Sequence, residues 1–309
     1  MTMVAGTVKA GAERDNLRGI GLMVASMAGF ALEDMFIKWA AADLPPGEIL
    51  LVMGLVGAPI FALMAAAQGR RVWSAAFFNR AVVARNFGEM IGTWGFITAL
   101  ALVPLATVSS VLQAMPLVVT CGAALFLGQA VGWRRWCAIL VGFAGVLIVI
   151  RPGMDGFDPK ALWTVLAVLG LSLRDLATRR VPATIGTMEV GCWGFLAVAV
   201  LGAMMLAASG GFVVPTPAQS FYLFGALVFG MAAYWAITAA MRIGEIPAVT
   251  PFRYARLLFA LIIGVTVFGE RPDTATLVGA SLIILSGLYM FARERRMIAL
   301  TLSKKAAPQ

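Results

Sequence analysis

ALEDMFIKWA, residues 31–40, sets three charged side chains, Glu33, Asp34 and Lys38, inside an apolar run, and a shifted copy of it decides the fold. Moving the chain by 141 residues lays this stretch on LSLRDLATRRVP, residues 171–182. Gly29 then meets Gly170, Leu32 meets Leu173, Asp34 meets Asp175 and Lys38 meets Arg179. The same shift, without a gap, brings Trp94 onto Trp235, Gln113 onto Tyr254, Gly128 onto Gly269 and Gln129 onto Glu270. The chain holds only eight tryptophans. Two of them in register, beside an acid–base pair at i,i+4 in both copies, mark an internal duplication.

The duplicated unit belongs in a membrane. Hydrophobic residues make up 61% of the 309-residue chain, charged residues 13%, and the mean hydropathy is +0.91. A soluble domain carries about 25% charge, and so apolar a surface would not stay dispersed in water. Ten apolar runs are long enough to cross a bilayer, at roughly 19–41, 47–67, 84–104, 106–128, 135–151, 160–179, 187–208, 218–242, 247–268 and 274–292. Residues 1–17 lack an apolar core, so no cleavable leader is expected ahead of the first run.

Charge sets the orientation. With a cytoplasmic amino terminus, eighteen of the twenty-four Lys and Arg fall on the inner side and four on the outer side, leaving Arg253 and Arg256 within a span. That asymmetry predicts ten spans with both termini cytoplasmic. Each copy then has five spans, an odd number, so the second enters the membrane inverted relative to the first. The expected fold is an all-α integral membrane protein of two inverted five-helix repeats. Its expected divisions are a tail over 1–18, repeats over 19–153 and 154–294, and a basic tail over 295–309.

Several stretches together resemble the drug/metabolite transporter superfamily, in its ten-helix EamA-type branch, over about residues 19 to 294. They are ALEDMFIKWA (31–40), PLATVSSVLQAMPLVVTCGAALFLGQ (104–129), GFAGVLIVIRPG (142–153), LSLRDLATRRVP and PFRYARLLFALIIGVTVFGERPD (251–273). The resemblance implies a central cavity, alternating access without ATP and small organic cargo in a bacterial inner membrane. It implies export of amino acids or related metabolites, as in bacterial aromatic amino acid exporters; the alternative is uptake of a nucleotide- or vitamin-like compound. Many relatives carry an arginine near the position of Met53 and an acid where this chain has Gln129.

Candidate site residues follow from the cost of polarity in hydrocarbon. A cation at a helix centre costs about 2.5–3.5 kcal/mol on insertion scales, yet Arg253 and Arg256 sit three residues apart on one face of the ninth span. They either snorkel to the headgroups or face a wet cavity, where they would attract a carboxylate or phosphate. Arg256, the deeper, is expected to contribute more to substrate binding than Arg253. Glu33 has no partner at i±4, and a pair with Arg174 of the other copy is one candidate. Asp34 and Lys38 are spaced for a same-helix ion pair. Glu33, Asp34, Lys38, Arg174 and Asp175 form the gating or proton-carrying set. Trp94, Gln113, Tyr234, Trp235 and Tyr254 join the two arginines as substrate-binding candidates. Glu89, four residues after Arg85, reads as a solvated interfacial pair.

Other classes are excluded by what the residues lack. The sequence has no histidine, so triads and histidine-ligated metals are out. Cys121, Cys137 and Cys192 have no metal-ligand spacing. Neither a glycine-rich phosphate loop nor a protease signature is present, so no catalytic residue, metal or cofactor is expected. Basic residues scatter through short loops rather than one soluble face, which argues against nucleic acid. The expected partners are a small organic substrate and the bilayer. Oligomeric state stays open, and a monomer suffices.

Overall fold

The computed structural model describes residues 2–128, 132–154, 157–209, 211–243 and 249–306. Eleven α-helices run through it: α1 Thr2–Ala40, α2 Pro46–Ala67, α3 Arg80–Leu102, α4 Leu105–Leu112, α5 Met115–Phe126, α6 Trp133–Ile150, α7 Leu162–Thr178, α8 Thr187–Ser209, α9 Pro217–Ile243, α10 Ala255–Thr266 and α11 Thr274–Ala306. A 3₁₀ turn, Thr250–Tyr254, leads into α10, and among the described residues there is no strand.

Local chemistry accounts for the ends. Pro46 opens α2, where a missing N–H costs nothing. Asn79 caps α3 by accepting from the Ala81 amide. Pro104 ends the α3 chain path and starts α4 after a single turn residue. Gly128 and Gly269, repeat mates, follow α5 and α10 with φ of 65° and 63°. Only glycine takes that left-handed geometry without a Cβ penalty, so the coincidence in sequence is a coincidence of helix stops.

Among the described residues, eight segments are long and apolar enough to cross a bilayer, counting α4 and α5 together as Leu105–Phe126. The other two expected spans differ for physical reasons. Helix α3 carries Arg85, Asn86 and Glu89 in its first half, which lowers its hydropathy. The ninth span is divided into the turn and the 12-residue α10, and its expected start at 247 lies outside the described residues. The fourth span is likewise broken, at Gln113–Ala114, into α4 and α5.

Helix packing obeys the 141-residue shift. Helix α1 lies along α9, and their counterparts α7 and α3 lie along each other; α2 packs on α8, and α6 on α11. The seams use small residues. A Cβ on Gly170 would come 2.3 Å from the Gly92 backbone nitrogen, and one on Gly29 would come 3.0 Å from the Cβ of Ala233, the mate of Gly92. Close backbone approach at small residues is how helices associate where lipid offers no hydrophobic drive. The strongest contacts therefore join one repeat to the other, and the two interlock.

Candidate functional site

The α1–α9 and α3–α7 seams converge on a buried set of charges. Asp34 of α1, 1% exposed, is gripped by Arg256 of α10: Nε donates at 3.1 Å to one oxygen, and Nη2 donates at 2.7 and 2.8 Å to both. The guanidinium lies 5.3 Å from the Phe30 ring and 5.7 Å from the Phe96 ring. The planar fork and the aromatic faces suit arginine and not lysine. Asp34 therefore does not pair with Lys38, because the tertiary partner offers two donors and the i+4 lysine is drawn elsewhere.

Glu89 of α3 sits at the centre of a second cluster. It accepts from Arg85 at 2.7 Å, from Arg174 of α7 at 3.3 Å and from the Thr93 hydroxyl at 3.4 Å. Arg174 also pairs with its neighbour Asp175 at 2.8 Å. The Arg85 and Glu89 side chains are 12% and 15% exposed. The expected solvated pair is thus a buried one, held by a helix 85 residues away. Arg174 is engaged by Glu89 and Asp175, not by Glu33. Tyr234 joins this region from α9, stacking edge-on to Phe61 at 5.3 Å.

Lys38 and Glu270 form a third group where α1, α3, α4 and α10 end or begin. The Glu270 carboxylate accepts the Leu105 and Ala106 amides at 2.6 and 3.1 Å, the first donors of α4. Lys38 donates to the Leu100 and Val103 carbonyls at 3.3 and 2.7 Å and lies 3.5 Å from Glu270. Pro104 leaves orphan carbonyls behind it and orphan amides ahead, and this ion pair caps both. Gln129, the repeat mate of Glu270, lies outside the described residues.

Of the candidate site charges, two are left without a partner among the described residues. Among the described residues, the side chains of Glu33 and Arg253 have neither a hydrogen bond nor an ion pair. Glu33 lies over Gly230 of α9, where a Cβ would come 2.5 Å from its carboxylate. Arg253 is exposed. Arg256 is engaged by Asp34, while Arg253 has no partner among the described residues.

The remaining candidates divide. Gln113 donates at 3.2 Å to the carbonyl of its repeat mate Tyr254, so the two helix breaks meet. The Tyr254 hydroxyl is turned into α11 against Gly287. Trp94 packs on Trp163 at 5.3 Å. Trp235 is 66% exposed on the face of α9 turned away from α1, so the two repeat-mate tryptophans do not share a wall. Sequence reasoning passed over Glu270, Phe30 and Phe96. Only the Glu270/Gln129 mismatch between repeats hinted at the first.

The EamA-like transporter family matches residues 17–151 and again 159–292. The chain belongs to that family. Its function is transport, not enzymatic catalysis, as a multi-pass protein of the bacterial inner membrane. It is 23% identical to the S-adenosylmethionine uptake transporter of Rickettsia bellii, over 91% of this chain and 96% of that one. It is 31% identical to the riboflavin transporter of Rhizobium johnstonii over 67% and 68% of the two chains. The pseudopaline exporter of Pseudomonas aeruginosa is 27% identical over 86% and 94%. A solved crystal structure shares the fold at TM-score 0.57 and 20% identity, covering 85% of this chain and 96% of the other.

Proposed function

We propose that the protein is a secondary active carrier for a small organic solute bearing both a carboxylate and a cationic group. Export of amino acids or related metabolites is the first reading. The observation that carries the solute class is the pair of unpartnered, oppositely charged groups, Arg253 and Glu33, beside charges already satisfied. A zwitterion would find a donor fork for its carboxylate and an acid for its ammonium group. Asp34, Lys38, Arg174 and Asp175 position and gate; Gln113 and Tyr254 join the two helix breaks, and Tyr234 lies beside the Arg85–Glu89–Arg174 cluster.

Alternating access is the proposed mechanism, with ten spans, two inverted five-helix repeats over 19–153 and 154–294, tails over 1–18 and 295–309, and both termini cytoplasmic. In its support, the Lys38–Glu270 group closes one end, while Arg253 and the partly exposed Arg174 and Asp175 lie towards the other. Proton coupling through Glu33 belongs to the same proposal, since an acid without a fixed partner can exchange a proton for the solute's cation.

A second reading, uptake of a nucleotide- or vitamin-like compound, is favoured by the Rickettsia and Rhizobium relatives. Counterflow in proteoliposomes loaded with labelled phenylalanine or riboflavin separates the two solute classes. Saturable exchange of phenylalanine, with KM raised by Arg253→Gln and by Glu33→Gln, is expected. Exchange of riboflavin alone, indifferent to both changes, would overturn the zwitterion site.

A further inference from the structure

An apolar groove of about 410 Å³ opens between α5, α6 and α7, apart from the charged set. Its walls include Val118, Gly122, Phe143, Val146, Leu169 and Leu176, and among its lining residues only Ser172 carries a polar side chain other than a thiol. Under the 141-residue shift Val118 and Val168 of the groove correspond to Phe259 and Met27, which pack into one cluster in the other repeat.

The groove ends in positive charge. Phe126, 73% exposed, lines its rim, and the Phe126 carbonyl accepts from the Arg180 guanidinium at 2.7 Å. Arg180 and its neighbour Arg179 are exposed at the end of α7, and Arg134 and Arg135 begin α6 after the short link from α5. The remaining guanidinium donors of Arg180 are free to meet an anion at the membrane face that the charge count assigns to the cytoplasm. An apolar slot that opens towards lipid and ends in such a cation matches one molecule class in both parts.

We propose that this groove holds an acyl chain of an anionic phospholipid of the cytoplasmic leaflet, with the lipid phosphate on Arg180. The leaflet assignment rests on the orientation proposed above; the site itself does not. The solute of the central cavity is not the occupant, because the walls offer no charge to a zwitterion.

The test is native mass spectrometry of the full-length, delipidated protein titrated with phosphatidylglycerol or with phosphatidylcholine of the same chains. Wild type is expected to retain one phosphatidylglycerol in preference to phosphatidylcholine. Arg180→Gln, an exposed change that leaves the helices intact, should erase a preference of about tenfold, the worth of one charge-assisted contact. Val118→Phe, which installs the other repeat's residue, should weaken both lipids alike, and Leu285→Phe, on another face, neither. Equal retention of the two lipids by wild type, or wild-type retention by both Arg180→Gln and Val118→Phe, would overturn the proposal. Because no solute is present in the titration, its outcome is independent of the carrier reading.

Discussion

Arg253 and Arg256 show how one residue type at one spacing divides its labour. From sequence they share a helix face, and depth favours Arg256 as the substrate group. In the fold, Arg256 is consumed by Asp34 and two rings, while Arg253 has no partner among the described residues. Removing one member of a buried pair leaves the other charge uncompensated, at a cost of about 3–5 kcal/mol. Arg256→Gln should therefore lower the melting temperature and the amount of folded protein, and Asp34→Asn in the same chain should restore part of both. Arg253→Gln should melt as wild type yet transport with a raised KM. Thermal unfolding in detergent beside proteoliposome kinetics measures this split. Normal kinetics for Arg253→Gln would return the solute's carboxylate to another group.

Helix ends are where the charged contacts do their structural work. The Lys38–Glu270 pair caps the last carbonyls of α3 and the first amides of α4 across a proline that neither helix could bridge alone. Glu270→Gln keeps an acceptor but loses the ion pair, so the latch should loosen. A cysteine introduced at Trp39, beside it, is expected to react faster with a charged thiol reagent in the Gln variant than in wild type. Equal rates would mean that the end stays shut without the pair. Asp273, ahead of α11, behaves differently because it lies outside the spans. Hydrogen bonding from Arg151, then from Thr276, pulls its carboxyl from 3.8 down to about 2. Its folded pKa is depressed, so the stabilisation is present above pH 4 and lost as pH falls towards 2. The melting difference between wild type and Asp273→Asn should be constant from pH 8 to 5 and close below about pH 4. Asp273 is half exposed, so that difference should be small.

For the whole molecule, the duplication matters more than any single contact. Each of the seams α1–α9 and α3–α7 is the other's image under the 141-residue shift, and each joins the two repeats. Separate repeats would expose these glycine- and alanine-lined faces, so neither is expected to fold alone. Orientation is testable directly. Reporter fusions after residues 155 and 215 should read outside, and those after 75 and 305 inside. A cytoplasmic reading at 155 would break the inverted arrangement, since it would leave the first repeat with an even number of crossings.

Much of this was legible in the chain itself. Composition determined that the protein lives in a bilayer, because apolar area in water has no other resting place. The shifted coincidence of Gly29, Asp34, Trp94 and Gly128 with their mates determined that it is duplicated, and the matched glycines stop matched helices because φ is a local property. Pairing was not legible. Asp34 had Lys38 four residues away and chose Arg256, 222 residues on; Glu33 was offered Arg174 and has no partner among the described residues. Glu89 looked superficial and is buried. An ion pair inside a membrane is decided by which side chains the packed seams bring within about 3 Å, where desolvated charges attract most strongly, and spacing along one helix carries no information about its neighbour. Which of the two arginines is left without a partner among the described residues was decided by the tertiary structure alone.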